Sequence, residues 1–416
     1  MAQTNYTAPV SGAVARLTNN TGATLGASAT NKFADVLSVK DFGAIGDGVA
    51  DDTSAFNQAM AVSTRSKCVR VPDGIYKTTS ALAATHAICF VGDAWRIRYA
   101  GSETINAVFS IIGGPATIPH GTFIEGSSLT GSIFDGSGRA TNGLLLQGVV
   151  SGWMNYIRAT NVLDAGVLIN WAQQITFEHL MVSDNFEPFS TVPRRGLVID
   201  GISSANVFNG INIEHVASTG IDLVYAYNTV FNGGTSEGNH GIGVRCTGAL
   251  APYRTCVNNT FINLDTEENA GGDYEFADLS YFNTILSANS FSKLGIHFTG
   301  SAVSNTVIGG FIGPSIADAG TKGNRLINVG AMLSSRGVAW TDNGQNYSDP
   351  IFDNFTNTVQ PAINNYTKAA ATRDAPISMS SKIEGGSVGQ VLCKKADSTI
   401  GSCSTLDTTT GSCTCN

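Results

Sequence analysis

The sequence predicts an all-β fold: a solenoid of short parallel strands, with a capping helix at its N-terminal end and a small C-terminal module of different texture. Three observations predict it. The chain has 416 residues with only 24 Lys and Arg against 32 Asp and Glu, yet 47 Gly and 33 Asn. That composition is too apolar for disorder and too rich in turn-formers for a helical bundle. A repeat near 22 residues runs through its middle, and one amphipathic segment precedes that repeat.

The repeat carries two series. A Gly followed by alternating apolar residues recurs at Gly143, Gly166, Gly196, Gly220, Gly241 and Gly295, and an Asn-led strand recurs at Asn206, Asn228, Asn259, Asn283 and Asn305. Two short strands per unit, with occasional longer loops, describe a coil that advances ~4.8 Å per turn. Asn and Gly suit its corners because both tolerate left-handed backbone. Residues ~121–335 are therefore expected to form a parallel β-solenoid.

Before it, Asp35–Ser66 holds a loop with Gly-Asp-Gly turns and then a helix. Asp51 or Asp52 is placed to cap that helix, and Ala55, Phe56, Ala59 and Met60 form its apolar stripe. Cys68–Thr78 alternates as a strand around a Pro-Asp-Gly turn. A helix laid over the open end of a solenoid covers apolar surface and unpaired strand edges.

The string VKDFGAIGDGVADDTSAF, followed by VRVPDGIY, resembles the N-terminal signature of pectate-lyase-superfamily β-helix proteins, and more narrowly that of phage tailspikes and prophage capsule or O-antigen depolymerases. SGAVARLTNN and NKFADVLSVKDFG look like the linker that precedes the β-helix in such proteins. The resemblance covers residues ~10–80. It implies a right-handed single-stranded parallel β-helix, divided as 1–37 virion-anchor or linker segment, 38–120 capping helix and first coils, 121–336 β-helix, and 337–416 trimerisation or receptor-binding module. It also implies a homotrimer in the phage tail, joined to a baseplate or adaptor protein through the N-terminus and acting on a bacterial surface polysaccharide. The N-terminus lacks a secretory signal pattern, which fits a virion protein made in the host cytoplasm and released by lysis.

Eight cysteines lie at 68, 89, 246, 256, 393, 403, 413 and 415. The last four are expected to form two disulfides in oxidising medium, their pairing open. Cys246 and Cys256 flank a loop that a bond would close, and Cys68 and Cys89 are expected as buried free thiols. The C-terminal spacing is a poor zinc pattern, and no metal or cofactor is expected.

Chemistry is sought among the ten Glu. Counting eight residues on from Asn170, Asn206 and Asn259 reaches Glu178, Glu214 and Glu267, and counting nine from Asn228 reaches Glu237. Four coils would thus present a carboxylate at one lateral position, with Phe291 and Gly313 next in the column. Glycoside hydrolysis needs one protonated and one ionised carboxyl, ~5–5.5 Å apart for retention and ~6.5–9.5 Å for inversion. Adjacent coils offer ~4.8 Å and alternate coils ~9.6 Å. The expected catalytic residues are Glu214, Glu237 and Glu267. Glu178, Asp265, Glu268, Arg194, Arg195 and Tyr227 are expected to bind substrate, the two arginines through an acidic sugar. Trp153, Tyr156, Trp171, Tyr225, Tyr253 and Tyr274 are further aromatics suited to sugar faces or to wall packing. His179 and His215 follow ladder Glu residues and should point inward.

The net charge of −8 and the lack of any basic run argue against nucleic acid, and no apolar window is long enough for a membrane span. His240 in NHGIG resembles the Gly-His-Gly of polygalacturonases, but their other motifs are missing. So are the calcium-binding Asp cluster and Arg base of pectate lyases, which favours hydrolysis over lysis. The alternatives are a non-catalytic receptor-binding fibre or adhesin on the same scaffold, a polysaccharide lyase, and a secreted plant-polysaccharide enzyme.

Overall fold

The computed structural model describes residues 37–113, 123–183, 191–248, 255–331 and 340–353, together with the strands Thr358–Gln360, Ile363–Asn364, Leu392–Lys394, Ile400–Leu406 and Cys413–Cys415. The chain forms two compact units, 1–369 and 370–416.

In the first unit the chain winds as a right-handed parallel β-helix, the hand that parallel crossovers adopt. Most of the described coils contribute three strands rather than the two expected, and at Gln173 and Val303 the corner is an isolated bridge. One coil runs through Ser203–Ser204, Val207–Glu214 and Ile221–Leu223; the next begins at Ala226–Tyr227 and Val230–Glu237. These build a short corner sheet, a sheet of long strands, and a second sheet of eleven parallel strands in chain order from Leu82–Ala84 to Trp340–Asp342. The corner strands are two residues long, too short to leave a periodic signal of their own.

Both series lie where the period put them, with one shift in each. In the second sheet Gly143, Gly166, Gly196, Gly220 and Gly243 fall in one column, Gly243 taking the place expected for Gly241. The column is glycine because the coils meet closely there: a Cβ on Gly196 would stand 2.7 Å from the Gly220 carbonyl oxygen. The corner carries a buried Asn ladder. The Asn259 amide donates Nδ2 to Asn283 Oδ1 at 3.0 Å, Asn283 to Asn305 at 2.9 Å, Asn305 to Asn324 at 2.9 Å and Asn324 to Asn346 at 2.9 Å. Asn228 stands one residue outside it. Val207 pairs with Val230, so Thr229 occupies the ladder beside Asn206.

Inside the coil Phe177, Phe208, Phe231 and Phe261 stack with ring centroids 4.9, 4.9 and 5.0 Å apart, one ring per coil. The helix Thr53–Val62 buries Ala55, Phe56, Ala59 and Met60, the expected stripe, and Phe56 meets Tyr76, Phe90 and Trp95. Asp51 accepts from the Thr53 amide, while Asp52 instead holds the Ile45 and Gly46 amides of the loop.

Cys68 and Cys89, expected as free thiols, form a disulfide, as do Cys246 and Cys256. Val69 pairs with Phe90, so the preceding cysteines lie directly opposite on adjacent strands. Parallel winding continues past residue 336 through Trp340–Asp342, Gln345–Ser348 and Ile351–Asp353. Thr358–Gln360 then pairs antiparallel with Ile351–Asp353, and Ile363–Asn364 with Gln345–Ser348. In the second unit three antiparallel strands place Cys403 opposite Cys415.

Candidate active site on the long-strand sheet

Strand pairing decides which acids share a column. Glu214 pairs directly with Glu237. Thr235 pairs with Asp265, and the Gly238 amide donates to the Glu267 carbonyl at 3.0 Å, which brings Glu267 level with Glu237. Glu214, Glu237 and Glu267 therefore form the expected column on three successive coils, at the C-terminal ends of the long strands. Asp265 stands two residues before Glu267 and so faces the same way. Phe291 continues the column, since Asp265 pairs with Asn289.

Glu178 does not belong to it. Val182 pairs with Ile213, so Ser183 stands level with Glu214, while Glu178 pairs with Asn209. The error lies in the starting point of the count: Asn170 ends a strand of the second sheet, whereas Asn206 and Asn259 are corner residues.

Each carboxyl in the column has its own surroundings. Glu214 is only 3% exposed, although it was expected on an open wall. It accepts from Ser183 Oγ at 3.0 Å, Asn212 Nδ2 at 2.5 Å and Thr235 Oγ1 at 3.3 Å. These three donors escaped the sequence reading. Asn212 and Thr235 were findable, because each lies two residues before a ladder Glu. Glu237 is half-buried, and its pKa is raised by burial first and then by Glu214, Glu267 and Asp265, with His215 opposing. Glu267 is raised by burial and by Asp265 and Glu268. Glu268 itself is exposed, with a left-handed φ of 55°. Asp265 accepts from Asn289 Nδ2 at 2.9 Å. Crowded like charges in a partly dry site raise a carboxyl's pKa, the direction that a general acid requires.

The remaining expected residues lie elsewhere. Arg195 is in the second sheet, gripping Asp164 at 2.6 Å and Asp222 at 3.0 Å, and Arg245 holds Asp222 from the next coil. This ion-pair row occupies the guanidinium that was expected to bind an acidic sugar. Arg194 beside it is exposed. Tyr227 lies in the corner sheet, against Tyr225 and bonded to Thr255 Oγ1 at 2.8 Å. The strand Val230–Glu237 separates it from the acids by roughly 20 Å at ~3.3 Å per residue. Tyr274 is core, Trp171 stacks on Phe123, and Tyr253 lies outside the described residues. His179, expected inside, is exposed: its φ of 61° breaks the alternation on which that expectation rested. His215, at φ 58°, is half-buried. Among the described residues no group of three or more His, Cys, Asp or Glu side chains is arranged to hold a metal ion, and no helix is long and apolar enough to cross a membrane.

The chain is thus a right-handed parallel β-helix with three acids in register on successive coils. Residues 36–109 match the family model described as rhamnogalacturonase A/epimerase, pectate lyase-like. Among solved structures, the chain shares its fold with Geobacillus virus E2 ORF18 (17% identity, TM-score 0.55, covering 84% of this chain and 68% of that one). It also shares it with the catalytic unit of a thermostable GH87 alpha-1,3-glucanase from Streptomyces thermodiastaticus (16% identity, TM-score 0.55, 79% and 72%). A third is the Dettilon tailspike protein (11% identity, TM-score 0.58, 76% and 66%). No curated protein matches the sequence.

Proposed function

We propose that the protein is a tailspike-type depolymerase that binds and hydrolyses a bacterial surface polysaccharide, capsule or O-antigen, on the outer wall of its β-helix. The observation that carries this reading is the column Glu214–Glu237–Glu267 with Asp265 alongside. Glu237, its pKa raised by burial and by three acidic neighbours, is the general acid toward the glycosidic oxygen. Glu214, fixed by three hydrogen-bond donors, is the second carboxyl of the pair, with Glu267 as the third acid of the set. Adjacent coils at ~4.8 Å fit the spacing of a retaining pair and alternate coils at ~9.6 Å that of an inverting one. Likeness in fold to tailspikes and to a glucanase supports a polysaccharide substrate. In this reading three copies assemble, and residues 1–37 join them to the phage tail or an adaptor protein.

The burial of Glu214 favours a second reading, a non-catalytic receptor-binding spike in which that acid only ties neighbouring coils together. One experiment separates them. Purified protein is spotted on lawns of candidate hosts, and digests of their polysaccharide are assayed for new reducing ends and for the ultraviolet absorbance of unsaturated uronides. Hydrolysis gives reducing ends without the chromophore. Glu237→Gln and Glu214→Gln are expected to lose at least ~10²-fold in rate at unchanged assembled mass. Full activity in both variants would remove the site, the chromophore would mean a lyase, and neither product would leave the adhesin.

A further inference from the structure

Eight of the described long strands are kinked near the middle at a residue with left-handed φ, and these residues form their own column. Gly131, Tyr156, His179, Gly210, Gly233, Asn263, Ser287 and Gly309 occupy it, with φ between 49° and 71°. The pairing of Asn155 with Glu178 and of Glu178 with Asn209 sets the register. The kink adds an outward position: around it Met154 and Ile157 are core, while Trp153 and Tyr156 are 57% and 59% exposed. Most of the column is Gly, Asn or Ser, which bear such a backbone at low cost or leave the wall flat. On two adjacent coils it is aromatic instead. Tyr156 and His179 hold a conformation costing about 1–2 kcal/mol each. Their rings stack with centroids 4.5 Å apart and planes 6° from parallel, in the open.

Solvent-exposed aromatic rings on a strained backbone contribute nothing to the core. Beside them run groups suited to hydroxyls: the Asn155 side chain, and Glu178 accepting from Asn209 Nδ2 at 2.9 Å. An apolar ring face edged with carboxylate and amide groups matches a pyranose, which offers a C–H face and a rim of hydroxyls. We infer that Tyr156 and His179, with Trp153 and Glu178 beside them, form a stacking subsite for a sugar ring of the polysaccharide, remote from the point of cleavage. His179 lies four residues across and two coils along from Glu237, about 16 Å away at ~3.3 Å per residue and ~4.8 Å per coil. That gap spans several sugar units, so the enzyme grips the interior of a long chain. The inference rests on the polysaccharide reading above.

The test uses full-length Glu237→Gln protein and a printed panel of purified capsular and O-antigen polysaccharides. A second protein adds Tyr156→Gly and His179→Gly, since glycine accepts both backbone angles and leaves folding intact. The added pair is expected to weaken retention of the bound polysaccharide about tenfold or more, with unchanged or higher thermal stability. In otherwise wild-type protein the pair is expected to raise KM for the polymer while kcat for its short fragments holds. Equal retention by both proteins, with cleavage intact in the wild type, would overturn the subsite alone. Failure of Glu237→Gln to hold any panel member would overturn the subsite and the polysaccharide reading together.

Discussion

Glu237 and Asp273 show how one functional group, the carboxyl, is driven to different ends by position. Asp273 replaces glycine in the second-sheet column, fully buried. Burial pushes its pKa up to about 6 against hydrogen bonds from Ser290, Ser292 and Asn269. It faces no substrate. Glu237 stands on the outer wall, raised by burial and by acidic neighbours that a substrate would meet. A general acid must be protonated, so activity falls as pH rises through its pKa. Removing a negative neighbour makes the Glu237 proton easier to lose. Glu267→Gln is therefore expected to shift the alkaline limb of kcat/KM to lower pH, read from a pH–rate profile. A limb that stays put or moves upward would take the acid role away from Glu237.

At the scale of strand and corner, the Asn ladder does what no apolar residue could. Asn283 Oδ1 accepts from the Asn259 amide at 2.9 Å and its side chain at 3.0 Å, and Asn283 Nδ2 donates to the Cys256 carbonyl at 3.0 Å and Asn305 Oδ1 at 2.9 Å. Asn283→Ala leaves several fully buried polar groups unpaired and is expected to cost about 3 kcal/mol or more, read as a lowered unfolding temperature. An unchanged transition would show that water replaces the ladder without loss. The repeat was legible because, with Thr229 and Asp273 among the exceptions, glycine recurs in the second-sheet column and asparagine at the corner. For the same reason Glu214, Glu237 and Glu267 could be aligned by counting from them. Glu178 was misplaced because Asn170 is an Asn of a different corner, and residue identity does not report which sheet it ends. His179 was misplaced because a left-handed residue resets alternation, and nothing in a His signals φ. The ion pairs of Arg195 were invisible because Asp164 and Asp222 lie 31 and 27 residues away, on neighbouring coils.

Across the whole molecule, each coil touches chiefly the coils above and below, so stability is a sum of neighbour interfaces and unwinding begins at an end. The N-terminal end is closed by the helix Thr53–Val62, by Phe56 against Tyr76, Phe90 and Trp95, and by the Cys68–Cys89 bond between the first strands. The bond joins residues 21 apart in sequence, and closing such a ring limits the unfolded chain by about 3 kcal/mol. That stabilisation belongs to the cap. The acid column lies several coils further on, on the coils whose interior holds Phe208, Phe231 and Phe261, so loss of the bond should fray the entrance and spare the site. Cys68→Ser with Cys89→Ser is expected to lose amide hydrogen-exchange protection across the strands between Val69 and Tyr99, while protection from Val207 to Thr266 and polysaccharide cleavage are retained. Protection lost evenly along every coil would mean that the solenoid opens as one cooperative body, and that its cap does not act as a local closure.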